Sequence, residues 1–414
     1  MELNAICELI VDCEHKTAPT QETGYPSIRT PNIGRGRFIL EGVNRVSEET
    51  FRLWTRRAVP RPGDLIMARE APVGNVAMIP TGLQPCLGQR TLLIRPDRSK
   101  VEPSFLNYFL NGPHVQGLIQ AKTNGATVAH LNMQDVRTMT LPELPPLAVQ
   151  RRISGILSAY DELIENSQRR IQILESMARG LYREWFVHFR FPGHENQPRV
   201  ASPFGEIPQG WEVMDLSRVC ADADGIRTGP FGSQLHESDY SVEGVPVVMP
   251  KDLIGFRIRT ESIARIPEEL ASSLKRHRMQ PGDIVYGRRG DIGRRAYLMS
   301  HQAGWLCGTG CLRIRPDSQM INGWYLFNYL GQDDVVSLIA GRAQGVTMPN
   351  LNTGVMSSVP VRCPPMTTQE AFYRLTFPMA EERESLVAKV ENLRRTRDLL
   401  LPRLLSGQIE AKAA

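Results

Sequence analysis

The chain has 414 residues, 41% apolar and 22% charged, the balance of a water-soluble globular protein with two to three domains. No apolar run reaches the length of a membrane span, and Met1 to Lys16 lacks the basic-then-apolar pattern of a secretion signal, so no membrane attachment and a cytoplasmic location are expected. The net charge is only +5, but 42 of the 49 basic residues are Arg, whose planar fork suits phosphate and guanine; GC-rich coding produces the same bias.

The first element is a polar loop, Asp12-Cys13-Glu14-His15-Lys16-Thr17. After it the chain begins to repeat itself further on. Gly24-Tyr25-Pro26 returns as Gly244-Val245-Pro246, and the strand-like Pro62-Gly63-Asp64-Leu65-Ile66 returns as Pro281-Gly282-Asp283-Ile284-Val285. Arg95-Pro96-Asp97 returns as Arg315-Pro316-Asp317, and Asn107-Tyr108 as Asn328-Tyr329. Gly125-Ala126-Thr127 with Leu131-Asn132 matches Gly345-Val346-Thr347 with Leu351-Asn352, and Pro145-Pro146 with Gln150 matches Pro364-Pro365 with Gln369. One offset of 219 to 221 residues covers nearly the whole chain, so the protein is a duplicated two-part unit.

The first part of each unit, 1–146 and 205–366, mixes short β-type runs with Gly and Pro turns and is expected to form a mixed α/β domain. The second part is helical, over 147–190 and 367–410, with 191–204 as linker. From Ile153 a seam steps by four and three through Leu157, Ile164, Ile171, Leu174 and Leu181 to Trp185, about 50 Å of helix at 1.5 Å per residue. The same register, shifted by the repeat, runs through Met379, Leu386, Val390, Leu393 and Leu400. The two stripes are expected to pack on each other, with Pro378 starting or kinking the distal helix and Pro402 fraying its end.

Motifs for catalysis are missing. There is no GxxxxGK[ST] phosphate loop, no Asn/Asp-Pro-Pro-aromatic loop, no HExxH and no carboxylate–Lys cluster of a nuclease. Seven cysteines without a CxxC pair read as reduced, packed thiols rather than a metal site. Nucleic-acid contacts are expected from two Arg-Gly loops, Arg69 to Gly74 and Arg288 to Arg295, each placed after a strand, although a plain hairpin turn with solvated arginines fits the same pattern. The DNA-facing set is His15, Lys16, Arg29, Arg69, Arg90 and Lys122 in the first domain, with Arg227, Gln234, Lys251, Arg288, Arg289, Arg294, Arg295 and Asn350 in the second. Asn132 before Met133-Gln134-Asp135 is better read as a helix cap.

These residues resemble those of the specificity (S) subunits of type I restriction-modification systems. The openings Asp12 to Thr17 and Gly229-Pro230-Phe231-Gly232-Ser233 are similar to starts of that family's target recognition domains. The ending Leu393-Arg394-Arg395-Thr396-Arg397-Asp398-Leu399-Leu400-Leu401-Pro402-Arg403-Leu404-Leu405-Ser406-Gly407 is its most specific signature. The resemblance implies an α/β architecture of two tandem target recognition domains related by a pseudo-twofold and joined by two long antiparallel coiled-coil helices. It implies a non-catalytic DNA-binding subunit whose domains each read one half of a bipartite, asymmetric target. The helices would set the spacing and dock two modification (methyltransferase) subunits, with restriction (translocase/nuclease) subunits joining them. S-adenosylmethionine, ATP and Mg are then expected on the partners and none on this chain. An S-like subunit of a methylation-only or phage-defence system is the alternative.

Overall fold

The structure is a computed structural model that describes all residues except 124–129, 204, 222–223, 232–233, 344–349 and 411–414. Two compact units emerge, Met1–Arg170 with Leu386–Ala414, and Ile171–Ser385, so each long helix contributes residues to both. Among the described residues no helix is long and apolar enough to cross a membrane.

In the first unit an antiparallel sheet has the strand order Cys7–Asp12, Thr91–Pro96, Leu65–Ala68, Val76–Met78. A smaller sheet sets Tyr25–Ile28 between Arg45–Val46, antiparallel, and Cys86–Leu87, parallel. Alternation along the strands explains why the larger sheet is buried on both faces. Leu65, Met67, Leu92 and Ile94 point to a core with Phe105, Leu106 and Ile119 from helices Pro103–Asn111 and Pro113–Ala121. Ile66, Ala68 and Leu93 point to another core with Ile28, Ile33 and Leu87.

The second unit repeats this order with Ile226–Thr228, Cys311–Ile314, Ile284–Gly287 and Arg295–Tyr297, and a smaller sheet of Ala264–Ile266, Val245–Val248 and Leu306–Cys307. The register repeats as well: Leu65 faces Ile94, and Ile284 faces Ile314. The tandem mixed α/β reading therefore holds at the level of strand pairing.

The recurring motifs are the joints of this frame. In Pro-Gly-Asp the glycine adopts a left-handed turn, φ 91° at Gly63 and 92° at Gly282. The buried aspartate then accepts a two-pronged bond from the arginine of Arg-Pro-Asp, Arg95 to Asp64 at 2.9 and 2.7 Å and Arg315 to Asp283 at 2.8 and 2.7 Å. In Pro-Pro…Gln the glutamine ties the start of the long helix to the domain. Gln150 Nε2 donates to Pro145 O at 2.8 Å and its Oε1 accepts from Glu102 N at 2.9 Å. Gln369 does the same with Pro364 O at 2.7 Å and Asn322 N at 2.9 Å.

The central helix spans Leu147–Tyr182 and ends in one wider turn, Arg183–Val187. The distal helix spans Met366–Leu405 and runs through both prolines, which corrects the expectation of a start at Pro378. Each proline frees the carbonyl four residues back. Those residues, Arg374 and Asp398, are exposed, so solvent is at hand for the lost bond. All twenty seam positions, from Ile153 to Trp185 and from Phe372 to Leu404, are buried or half-buried. Within the first unit Leu404 joins Ile153 and Leu157 in one core, and Arg397 pairs with Asp161. Within the second unit Phe372 packs on Tyr182, Trp185 and Phe186, and Arg383 lies 3.8 Å from Glu175. Rising numbers on one helix meet falling numbers on the other in each unit, so the helices run antiparallel there. The two charged seam positions of the distal helix are thus neutralised by acids of the central one.

All seven cysteines are unpaired, and six of them are buried. Burial pushes Cys86, Cys220, Cys307 and Cys363 up to about 12.

Three outcomes are expected. Ile164→Asp places a charge at a fully buried seam position and lowers the free energy of unfolding by several kcal/mol; Leu163→Asp, at a position 47% exposed, lowers it by less than about 1 kcal/mol. Denaturant titration of the two variants checks the difference, and equal losses would dismiss the seam. Asp64→Ala strands the Arg95 guanidinium and costs about 3 to 5 kcal/mol, read by the same titration. At pH 8 a thiol-specific reagent labels the native chain slowly, because the reactive thiolate is scarce, and labels it rapidly in denaturant.

Candidate nucleic-acid interface

The strand Leu65–Ala68 delivers Arg69, and Ile284–Gly287 delivers Arg288. The main chain treats the two alike. Arg69 N donates to Arg90 O at 2.9 Å, and Arg288 N to Gly310 O at 2.9 Å. Leu131 N donates to Arg69 O at 3.0 Å, and Leu351 N to Arg288 O at 2.8 Å. Both side chains turn Nε onto the same carbonyl, Leu131 O at 2.9 Å and Leu351 O at 3.0 Å.

Beyond that the surroundings diverge. Arg69 is 6% exposed. Its Nη1 donates to Asp12 Oδ2 at 2.6 Å, and its Nη2 lies 3.1 Å from His130 Nε2. Asp12 Oδ2 is also 3.1 Å from His15 Nε2. His130 Nδ1 lies 3.2 Å from Glu70 Oε1, and Glu70 pairs with Arg90. Two acids and two arginines thus form one chain that cancels its own charge. Arg69 is buried, with Nε, Nη1 and Nη2 each engaged inside the protein, which corrects its place among the DNA-facing residues. The exposed ends of the chain are His15 and Arg90. Arg29 lies against Gly88, where a Cβ would come within 2.6 Å of Arg29 Cγ, so the missing side chain makes room for the arginine. Lys16 is exposed in the opening loop, which Gln89 holds by donating to His15 O at 3.0 Å. Lys122 is half-buried at the end of helix Pro113–Ala121.

In the second unit Thr228 takes the ladder position of Asp12: Asp12 faces Leu92, which faces Met67, while Thr228 faces Leu312, which faces Tyr286. Asn350 replaces His130 and presents Oδ1 3.2 Å from Arg288 Nε. By the repeat offset, Arg289 stands where Glu70 does, and Gly310 where Arg90 does. Among the described residues Arg288 has no carboxylate partner. Burial, with Arg289 next to it, lowers its pKa, the signature of an uncompensated guanidinium.

Around it, Arg289, Gln234 and Lys251 are exposed, and Lys251 follows Pro250, which packs on Gly310. Arg294 is exposed but lies 2.9 Å from Asp291, and Arg227 pairs with Asp224. Arg295 is 6% exposed, stacked 4.7 Å from the Phe256 ring and 4.9 Å from the Phe327 ring, and donates to Phe327 O at 2.8 Å. Burial pushes it down to about 10. It is an internal strut, a second correction to the DNA-facing set. Phe231, in the opening loop that resembles a domain start, is 62% exposed. The turns 125–127 and 345–347, and Gly232-Ser233, lie outside the described residues. Asn132 precedes helix Met133–Arg137 without a side-chain bond, whereas Asn352 accepts from Val355 N at 2.8 Å.

Asp12, Cys13 and His15 bring possible ligand atoms within 4.8 Å of one another. The guanidinium 2.6 Å from Asp12 Oδ2 opposes a cation on that oxygen, and burial holds the Cys13 thiol above its ordinary value.

A family model described as "Type I restriction modification DNA specificity domain" matches residues 2–176. The chain is 24% identical over 375 residues to the type I restriction enzyme MjaIX specificity subunit of Methanocaldococcus jannaschii, covering 91% of this chain and 84% of that one. It is 23% identical over 423 residues to the putative MjaX specificity subunit of the same organism, covering 99% and 93%. The crystal structure of the type I restriction-modification system S subunit from M. genitalium superposes with a TM-score of 0.67 at 16% identity, covering 98% of this chain and 95% of that one, and so shares its fold. With the matched domain, the relatives along nearly the whole chain and the shared fold in agreement, the chain is similar throughout to the specificity subunits of type I restriction-modification systems.

Proposed function

We propose that this subunit binds double-stranded DNA and supplies sequence choice to a complex whose catalysis lies elsewhere. Each unit reads one half of a bipartite, asymmetric target. The observation that carries this reading is a repeated frame with unlike loops: the same strands and main-chain bonds present Asp12, Glu70, Arg90 and His130 in one unit and Thr228, Arg289, Gly310 and Asn350 in the other. One scaffold with two side-chain sets suits two different half-sites. The relatives' names as specificity subunits of restriction enzymes support partners that modify and cleave DNA. S-adenosylmethionine, ATP and Mg would be held by two modification subunits and the restriction subunits, with the antiparallel helices docking the former and fixing the gap between half-sites.

The purified chain, mixed with its modification subunit, is expected to direct adenine methylation to a gapped, asymmetric sequence, read by methylation-sensitive sequencing. Alone it transfers no labelled methyl group. Scrambling one half-site lowers binding of the complex by at least three orders of magnitude toward its non-specific level, itself steeply salt-dependent. Methyl transfer by the chain alone, or methylation without sequence preference, would remove this reading.

A further inference from the structure

The two units place an arginine at one and the same point of the frame and then give it opposite fates. In the first, Asp12 neutralises Arg69 at 2.6 Å, and Glu70 neutralises Arg90. In the second, both acids are gone: Thr228 stands for Asp12 by ladder register and Arg289 for Glu70 by the repeat. What remains is a local charge of +2 that no described carboxylate cancels. Arg288 is nonetheless held in place, because its Nε donates to Asn350 Oδ1 at 3.2 Å and to Leu351 O at 3.0 Å. Among the described residues only Nε is engaged, which leaves the two terminal nitrogens, the end-on face of the fork. That face is the one that meets the O6 and N7 acceptors of guanine in the major groove. Arg289, exposed and without a described acid partner, has the character of a phosphate contact, which fixes position without reading sequence.

We propose that Arg288, oriented by Asn350 and Leu351, reads one guanine in the half-site of the second unit, with Arg289 on an adjacent phosphate, and that the first unit has silenced the equivalent reader by pairing Arg69 with Asp12. This rests on the DNA-reading function proposed above. It adds a base, a residue and an electrostatic difference between the half-sites: the second-unit half is bound with a direct charge contribution from this junction, and the first-unit half without one.

The test uses the full chain assembled with its modification subunit, on duplexes carrying its own target as defined by methylation, with binding measured over a range of salt. Arg288→Lys keeps the charge and loses the fork. It is expected to weaken binding about ten- to a hundredfold when guanine occupies one position of one half-site, and to flatten preference at that position only. Thr228→Asp leaves Arg288 and its backbone bond in place and restores the acid found in the first unit. It is expected to flatten the same position, with an unchanged melting curve as evidence of an intact fold. Arg289→Ala is expected to weaken all sequences alike and to lower the salt slope by about one. If Arg288→Lys or Thr228→Asp retains wild-type preference at every position, the guanine assignment falls. Uniform weakening by Arg288→Ala together with full retention by Arg288→Lys would make Arg288 a phosphate contact, and the assignment falls again. A wild-type complex without sequence preference would instead remove the function on which this assignment rests.

Discussion

The fork between a buried aspartate and an arginine one strand away holds the rest of each domain to its task. Asp64 and Asp283 sit at the turn that opens the strand from which Arg69 and Arg288 emerge. A guanidinium and a carboxylate taken out of water are costly unless paired with good geometry. Here the two-pronged geometry offsets that cost and ties the strand end to its neighbour. The loop beyond inherits that position. A side chain meant to meet a base needs a fixed base of its own, because a fork displaced by an ångström no longer finds both acceptors of guanine.

Main-chain bonds do the remaining positioning, and this lets the side chains diverge. Leu131 N to Arg69 O and Leu351 N to Arg288 O close the same ring of chain whatever the neighbours carry. An acid can become a threonine, a histidine an asparagine, and the loop keeps its path. Charge can therefore change by two units at one site without a change of fold. In the first unit the arginine serves as internal bracing.

Much of this was legible in the sequence. The repeat offset located the frame because its joints, Pro-Gly-Asp, Arg-Pro-Asp and Pro-Pro…Gln, are short motifs whose residues bond one another. The seam was legible because burial every three and four residues leaves a periodic trace. The helix start expected at Pro378 is absent because a proline on the wet side of a long packed helix gives up one bond that water replaces. Arg69 and Arg295 were misplaced for a different reason. An arginine's letter is the same whether it meets solvent, Asp12 or the rings of Phe256 and Phe327. The signal that separates Arg69 from Arg288 was present in the aligned repeats, as Glu70 against Arg289 and His130 against Asn350, but Asp12 and Thr228 align only through strand pairing that the sequence does not display.

The core of the first unit has a further consequence for how the protein is made. Ile153 and Leu157 are covered by Leu404, with Leu400, Leu401 and Leu405 beside it, from the far end of the chain. During synthesis the N-terminal domain leaves the ribosome long before those leucines exist. At about 5 to 20 residues per second the interval between Leu157 and Leu404 is on the order of ten to fifty seconds. Throughout it the apolar stripe of the central helix lacks its cover. Of the two domains, the one translated earlier is thus the one whose core waits for chain translated later.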